Sequence, residues 1–286
     1  MPLHTQDDLY MQFDAARHID DYERDGFICP IDVMSEAAAA RYRSLLEEVE
    51  AAIKDDGDKR RALRRHSGLV LPFVDEITRL PTVLKAVTAI LGDDVLVLDT
   101  PFFIKEANST SFVSWHQDLH YWGLDKDDEV TAWVALSPAT VASGCMRFVA
   151  GSHRRTVAHR DTHDERNLLT RGQEIAVDVD DSDAVDAELR PGQMSLHHGR
   201  VFHASNPNAT GDRRIGLAIR YVAPGMAQAD GSKPMAMLVH GSDDYGNFTL
   251  AAPPKHAFDA DALAQHKAAA DARNAALFKT STVTSG

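Results

Sequence analysis

Apolar positions along the chain fall into two textures. Between residues 35 and 92 they recur at helical spacing. Tyr42, Leu45, Leu46, Val49 and Ile53 share one face while Arg41, Arg43, Glu47, Glu48 and Glu50 take the other, and Ser35 stands where an N-cap belongs. A second helix is expected after Pro81, with Val83, Leu84, Val87, Ile90 and Leu91 on one side and Gly92 as its stop. Ahead of both, residues 14–30 read as a charged lead-in closing on Gly26-Phe27-Ile28-Cys29-Pro30, an apolar run suited to a strand. From Val95 the runs shorten and become strand-like: Val95–Leu98, Phe102–Ile104, Val130–Leu136, Met146–Val149, Glu174–Val177, Gln193–Leu196 and Ile215–Val222. Turn residues such as Ser143-Gly144, Arg190-Pro191-Gly192 and Asn206-Pro207-Asn208 separate several of them.

That order, helices and then many short strands, favours an antiparallel barrel or sandwich over alternating βαβ units. The fold class expected is mainly β with flanking helices. We expect one domain over 1–286, with a helical part to about 94, a β core to about 223 and an extension over 224–286. The run 178–188, rich in Asp and Glu without one base, is expected to be a solvated connection, and the basic run Lys59, Arg60, Arg61, Arg64, Arg65 a solvated loop or helix face. Phe258 to Phe278, rich in alanine, reads as a terminal helix able to serve a contact between copies of the chain, so a homo-oligomer is one expectation.

Composition narrows the partners. With 44% hydrophobic and 26% charged residues the chain is globular in type, and a formal net charge of −13 argues against a nucleic-acid or anionic-membrane surface. No apolar stretch suits a membrane span and the N-terminus lacks the pattern of a secretory signal, so a cytoplasmic location is expected. Cys29 and Cys145, without any CxxC spacing, read as reduced packing residues. The unusual number is 14 histidines. His4, His18, His66, His159, His163, His240, His256 and His266 lie in polar contexts that read as solvated.

Candidate chemistry concentrates in Ser114-Trp115-His116-Gln117-Asp118-Leu119-His120-Tyr121-Trp122. In an extended segment alternate side chains share a face, so His116 and Asp118 can bring an imidazole and a carboxylate to one point. Non-haem Fe(II) oxygenases use two histidines and one carboxylate in this way, leaving positions for co-substrate and oxygen. A second histidine-rich stretch, residues 193–206, offers His197, His198 and His203. Arg213 and Arg214 then open the strand 215–222, and a hairpin through 206–212 would set one guanidinium behind the metal, where it could clamp a carboxylate.

The chain here resembles the phytanoyl-CoA dioxygenase family of Fe(II)/2-oxoglutarate oxygenases. The carrying segments are Trp115–Tyr121, Thr131–Leu136, Ser143–His153, Arg190-Pro191-Gly192-Gln193, and His203-Ala204-Ser205-Asn206 through Arg213-Arg214. The family's usual Pro-Gly-Ser-His turn stands here as Ala150-Gly151-Ser152-His153. The resemblance implies a double-stranded β-helix (jelly-roll) core and His116, Asp118 and His203 as iron ligands. Because the family arginine falls eleven positions after the distal histidine, it implies Arg214 as partner of the distal carboxylate of 2-oxoglutarate. Ser205 would be a second partner for that carboxylate, Trp133 the aromatic wall beside it, and Lys105 a residue near the co-substrate. The implied reaction uses Fe(II), 2-oxoglutarate and O2 to hydroxylate a small-molecule C–H bond with release of succinate and CO2. An intact Asp118 favours hydroxylation, since halogenating relatives carry a small residue there.

For the substrate, Gln117, His120, Tyr121, Trp122, His198 and Arg200 are candidates, each with a plainer alternative as a packing, hydrogen-bonded or capping residue; His197 carries the same two readings. No basic stripe suited to an adenosine phosphate accompanies the β core, so a small polar metabolite is expected rather than an acyl-CoA. Two other classes share the pattern: a non-catalytic binding module with a structural or absent metal, and a zinc hydrolase, which would leave Arg214 without a task.

Overall fold

The computed structural model describes residues 13–169 and 172–281, with side chains as far as Arg273. Its first elements are α1 (Ala15–Asp25), β1 (Phe27–Asp32), α2 (Glu36–Ala52), α3 (Gly57–Arg64), α4 (Pro72–Thr78) and α5 (Pro81–Leu91). Strands follow: β2 (Val95–Asp99), β3 (Phe102–Lys105), β4 (Val113–His116), β5 (Glu129–Ala135), β6 (Met146–Val149), β7 (His159–Asp161), β8 (Gln173–Ile175) and β9 (Ala184–Ala187). The chain continues through β10 (Gln193–His197), β11 (His203–Ser205), β12 (Arg214–Val222), β13 (Met235–His240), β14 (Thr249–Leu250) and α6 (Ala260–Ser281).

The chain forms two compact units that interleave along the sequence. One takes residues up to Leu46, then Phe103–Asp118 and Thr131–Ala218; the other takes Glu47–Phe102, Leu119–Val130 and the chain from Ile219 onward. Strands β5 and β12 each begin in one unit and end in the other.

In the first unit, α1 forms where only a charged lead-in was expected, because Asp14 caps it by accepting from Ala16 N–H and Gly26, at φ +82°, ends it with an N–H to Tyr22 O. Ser35 does cap α2, its hydroxyl accepting from Ala38 N–H at 3.2 Å, and Ala38, Ala39, Tyr42 and Leu46 form the buried face. Strand β10 lies between β1 and β5, antiparallel to both, with Phe27 opposite His197, Ser195 opposite Trp133 and His197 opposite Thr131. A second layer has the order β4-β11-β6-β9. Strand β9 corrects the reading of 178–188 as a wholly solvated connection: Ala187 pairs with Met146 and Val185 with Phe148, while Arg147 reaches Asp181 at 2.8 Å and Asp186 at 3.2 Å. Two antiparallel layers around an apolar interior are the double-stranded β-helix arrangement. Phe27, Trp133, Ala135, Cys145, Phe148, Val201 and Ala218 share that core. Burial pushes both thiols up, Cys29 to about 11 and Cys145 to about 12, so neither is a thiolate at neutral pH.

The second unit packs Leu96, Val222, Met226, Ala236 and Phe248 together. Strand β2 pairs with β12 and with β13, the latter inside a stretch read from sequence only as an extension. Helix α5 begins at Pro81 and stops at Gly92, as its apolar spacing requires. The basic run forms α3 with Asp56 as its cap, and its last member, Arg65, is not simply solvated: it reaches the buried Asp99 at 3.3 Å. His66 is buried, as is His18 in the first unit, so the solvated reading fails for both; His4 lies outside the described residues. No helix among the described residues is long and apolar enough to cross a membrane.

Candidate metal centre

Backbone register brings the two histidines together. His116 ends β4, His203 opens β11, and they stand directly opposite each other in antiparallel strands with ring centroids 4.0 Å apart. Two residues past the end of β4, Asp118 returns its carboxylate, Oδ1 lying 3.4 Å from His116 Nε2. Each of the three offers a ligand atom within 4.8 Å of the others, and all three are buried. The remaining ring nitrogens are held by backbone carbonyls: His203 Nδ1 lies 3.0 Å from Val201 O, and His116 Nδ1 lies 2.9 Å from Ser114 O and 3.1 Å from His203 O. A ring nitrogen facing a carbonyl must carry the proton, so each Nδ1–H donates and each Nε2 keeps its lone pair for a metal. Burial, with the neighbouring His116 and His197 rings, pushes the His203 pKa well below its usual value, and imidazole ligates in the neutral form. Two imidazoles and one carboxylate converging from one side fit an Fe(II) ion.

A cavity opens beside this triad between the two layers. Arg214, Ser205 and Trp133 line it. Arg214 is 1% exposed, its guanidinium carbon lies 5.2 Å from the centre of the Trp133 ring, and its Nε has no hydrogen-bond partner. Burial pulls its pKa down to about 10, which still leaves it charged at neutral pH. Trp133 lies so close to Gly216 that a Cβ there would meet the indole at 1.8 Å, so only glycine lets the ring take this position.

The hairpin expected to connect His203 with Arg214 does not form. Strand β11 pairs with β4 and β6, whereas β12 belongs to the layer of β5, so histidine and arginine reach the cavity from different sheets. Lys105 does not line the cavity. It is fully buried behind it, donating to Ser205 Oγ at 2.6 Å and to the carbonyls of Gly144 and Asn206. Burial, together with the Arg214 charge, lowers its pKa to about 6.

The six residues expected to meet substrate do not line this cavity either. Gln117 is a buried backbone clamp: its amide donates to Arg155 O at 2.7 Å and Arg200 O at 2.6 Å and accepts from Val157 N–H. Arg200 N–H in turn donates to His198 Nδ1 at 3.0 Å, and the His198 ring stands near Tyr22 and His153. His120, Tyr121 and Trp122 belong to the other unit, where His120 is exposed and Trp122 carries the Arg220 guanidinium over its ring. The lining instead includes His197, Thr131, Phe103, Val113, Met146 and Ala218. Thr131 follows from strand alternation once Trp133 faces inward. Choosing His197 over His198 needed the register of β10 on β5.

Residues 22–216 match the sequence model of the phytanoyl-CoA dioxygenase family, PhyH, and the chain belongs to that family. Among solved structures it is similar to the apo form of ThoJ, a non-heme monooxygenase, with 35% identity, a TM-score of 0.84, and coverage of 94% of this chain and 99% of that one. The ThoJ–nickel complex gives 32% identity and a TM-score of 0.78, covering 93% of this chain and all of the other. Among curated sequences, a probable alpha-ketoglutarate-dependent hypophosphite dioxygenase from Stutzerimonas stutzeri is 27% identical over 176 residues, 59% of this chain and 60% of that protein. The chain thus spans roughly half to three fifths of the curated relatives it matches.

Proposed function

We propose that the protein is an Fe(II)- and 2-oxoglutarate-dependent oxygenase that hydroxylates a C–H bond of a small polar metabolite, with succinate and CO2 as co-products. The observation that carries this reading is Arg214, a buried guanidinium aimed into a cavity shared with a His-Asp-His cluster and lacking a carboxylate partner among the described residues. Leaving a buried charge unpaired costs several kcal/mol, a cost that the distal carboxylate of 2-oxoglutarate would offset.

In this reading His116, Asp118 and His203 hold iron on one side, and Arg214 with Ser205 receives the distal carboxylate. Lys105 orients the Ser205 hydroxyl: by donating to Oγ it turns the serine proton toward the ligand. Trp133 stacks beside the co-substrate and keeps water from the guanidinium, which strengthens the charge pair. Bound iron would supply O2 activation and the oxidising step, while the protein contributes geometry and exclusion of side reactions. Relatives named as alpha-ketoglutarate-dependent dioxygenase and non-heme monooxygenase support the class, and the intact carboxylate of Asp118 favours hydroxylation over halogenation.

The test is anaerobic titration of Fe(II)-loaded protein with 2-oxoglutarate, read by its charge-transfer absorption, followed by succinate formation on admitting O2. Absence of the absorption band would instead favour a non-catalytic binding module, and turnover that persists in a strong chelator would exclude a metal-dependent oxygenase.

A further inference from the structure

Two polar residues of the cavity are left without a task once the metal and the co-substrate are assigned. Thr131 on β5 and His197 on β10 stand directly opposite each other in the ladder, and both line the cavity at 1% and 2% exposure. The Thr131 hydroxyl is buried with no hydrogen-bond partner. Valine has almost the same shape and would avoid that desolvation cost, so a hydroxyl here points to a partner that arrives with a ligand.

Their place in the cavity separates them from the co-substrate end. Ile215, next to Arg214, receives the N–H of Leu136 at 3.0 Å. Thr131 lies five residues back along the strand, about 16 Å at ~3.3 Å per residue. The Arg214 guanidinium carbon lies 5.2 Å from the centre of the Trp133 ring, and Trp133 comes between Leu136 and Thr131 along the strand. His197 lies on the metal side, its ring centroid 4.9 Å from that of His203. The rest of the lining includes the apolar Phe103, Val113, Met146 and Ala218.

We propose that Thr131 and His197 form the recognition pair for the molecule being oxidised, and that this molecule is small and presents a hydrogen-bond-accepting oxygen to the pair while its short apolar body faces Phe103 and Met146. The proposal rests on the oxygenase reading above. A site built to hydrogen-bond an oxygen rejects an analogue that lacks it far more strongly than an apolar pocket discriminates by size. The pair is therefore a specificity determinant as well as a contact.

The experiment uses the full chain, loaded with Fe(II), as wild type, Thr131→Val, Thr131→Ser and His197→Phe. Anaerobic titration with 2-oxoglutarate comes first: each variant is expected to keep its charge-transfer band and an affinity within about twofold of wild type, as it should if the pair lies away from Arg214. If wild type shows no band, the oxygenase reading fails independently of this one. Substrate-stimulated succinate release is then measured with C4–C8 carboxylic acids and alcohols against alkanes of the same length. Wild type and Thr131→Ser should favour the oxygenated compounds by at least about tenfold, and Thr131→Val and His197→Phe should lose most of that preference through KM. Equal stimulation by the alkanes overturns the proposal. So do an unchanged preference in both Thr131→Val and His197→Phe, a raised KM for 2-oxoglutarate in place of altered selectivity, or no stimulation by any oxygenated compound.

Discussion

Arg214 and Arg220 lie six positions apart on β12, both buried, yet their electrostatic settings are opposite. Arg220, in the second unit, has an internal counter-ion: its Nη1 lies 3.6 Å from an Asp99 oxygen, and its guanidinium carbon stands 4.7 Å from the centre of the Trp122 ring. Asp99 is held from several sides, by Arg65 at 3.3 Å and by the backbone N–H groups of His66 and Thr100, each at 2.8 Å. Arg214, in the first unit, has no carboxylate partner among the described residues and faces the Trp133 ring and the cavity. A buried cation with its own carboxylate holds the fold together. One without is a cost to the fold that a ligand anion can offset, which is the role proposed for Arg214.

The largest effect that bears on this contrast is at the proposed metal site. His116→Ala, Asp118→Ala or His203→Ala should reduce succinate formation to background while leaving the thermal melting temperature of the metal-free protein within a few degrees of wild type. A cooperative loss of folding instead would make the triad structural.

Next come the two arginine settings. Asp99→Ala should destabilise the protein by about 3–5 kcal/mol in a urea titration, because it takes the Asp99 carboxylate from the buried Arg220 and from the part-exposed Arg65. Arg214→Met should do the reverse, with stability unchanged or raised and 2-oxoglutarate affinity lowered by roughly 30-fold or more, the scale of a lost buried charge pair of about 2 kcal/mol or above. If Arg214→Met destabilised the protein as much as Asp99→Ala, the contrast would collapse.

Acid titration gives a third, smaller effect. Burial alone would raise the Asp99 pKa, but His66, Arg65 and Arg220 outweigh it and hold the carboxyl below its usual value. Its contribution is therefore fully present above the unfolded value of about 3.9 and is lost as pH falls through the folded value. Asp99→Asn should flatten the acid limb of stability against pH.

Lys105 differs in that its shift costs the fold stability, although its slope with pH has the same sign. Its folded pKa of about 6 lies below the unfolded value of about 10.4, so the unfolded chain binds the extra proton between them. Stability of the ligand-free protein should rise with pH across that window, and Lys105→Met should remove this part of the slope in denaturation curves taken from pH 6 to 9.

Much of this fold and site was legible along the chain. The caps at Ser35 and Gly92 and the strand over Met146–Val149 stand where local pattern puts them, because helix ends and short alternating runs are decided by neighbours in sequence. The triad could be named from the HxD spacing and the family order of residues. Strand β9 was hidden in an acidic run because its pairing with β6, not its composition, makes it a strand. The buried His66 was hidden for a similar reason: its N–H meets Asp99, 33 residues away in sequence. Gln117, between His116 and Asp118, reads from sequence either as a substrate contact or as support behind those two residues, and backbone carbonyls at Arg155 and Arg200 claim its amide.

By itself, then, the sequence determined the helix-then-strand order, the three residues His116, Asp118 and His203 that the fold gathers, and the cation expected beside them, since these depend on residue type, spacing and alternation. Only the tertiary structure decided that His203 and Arg214 approach from different sheets, that Lys105 donates to Ser205 from behind the cavity, and that His197 rather than His198 lines the cavity with Thr131 beside it. Those outcomes follow from strand register, where a shift of one residue turns every side chain to the opposite face, and register is set by contacts far apart in the chain.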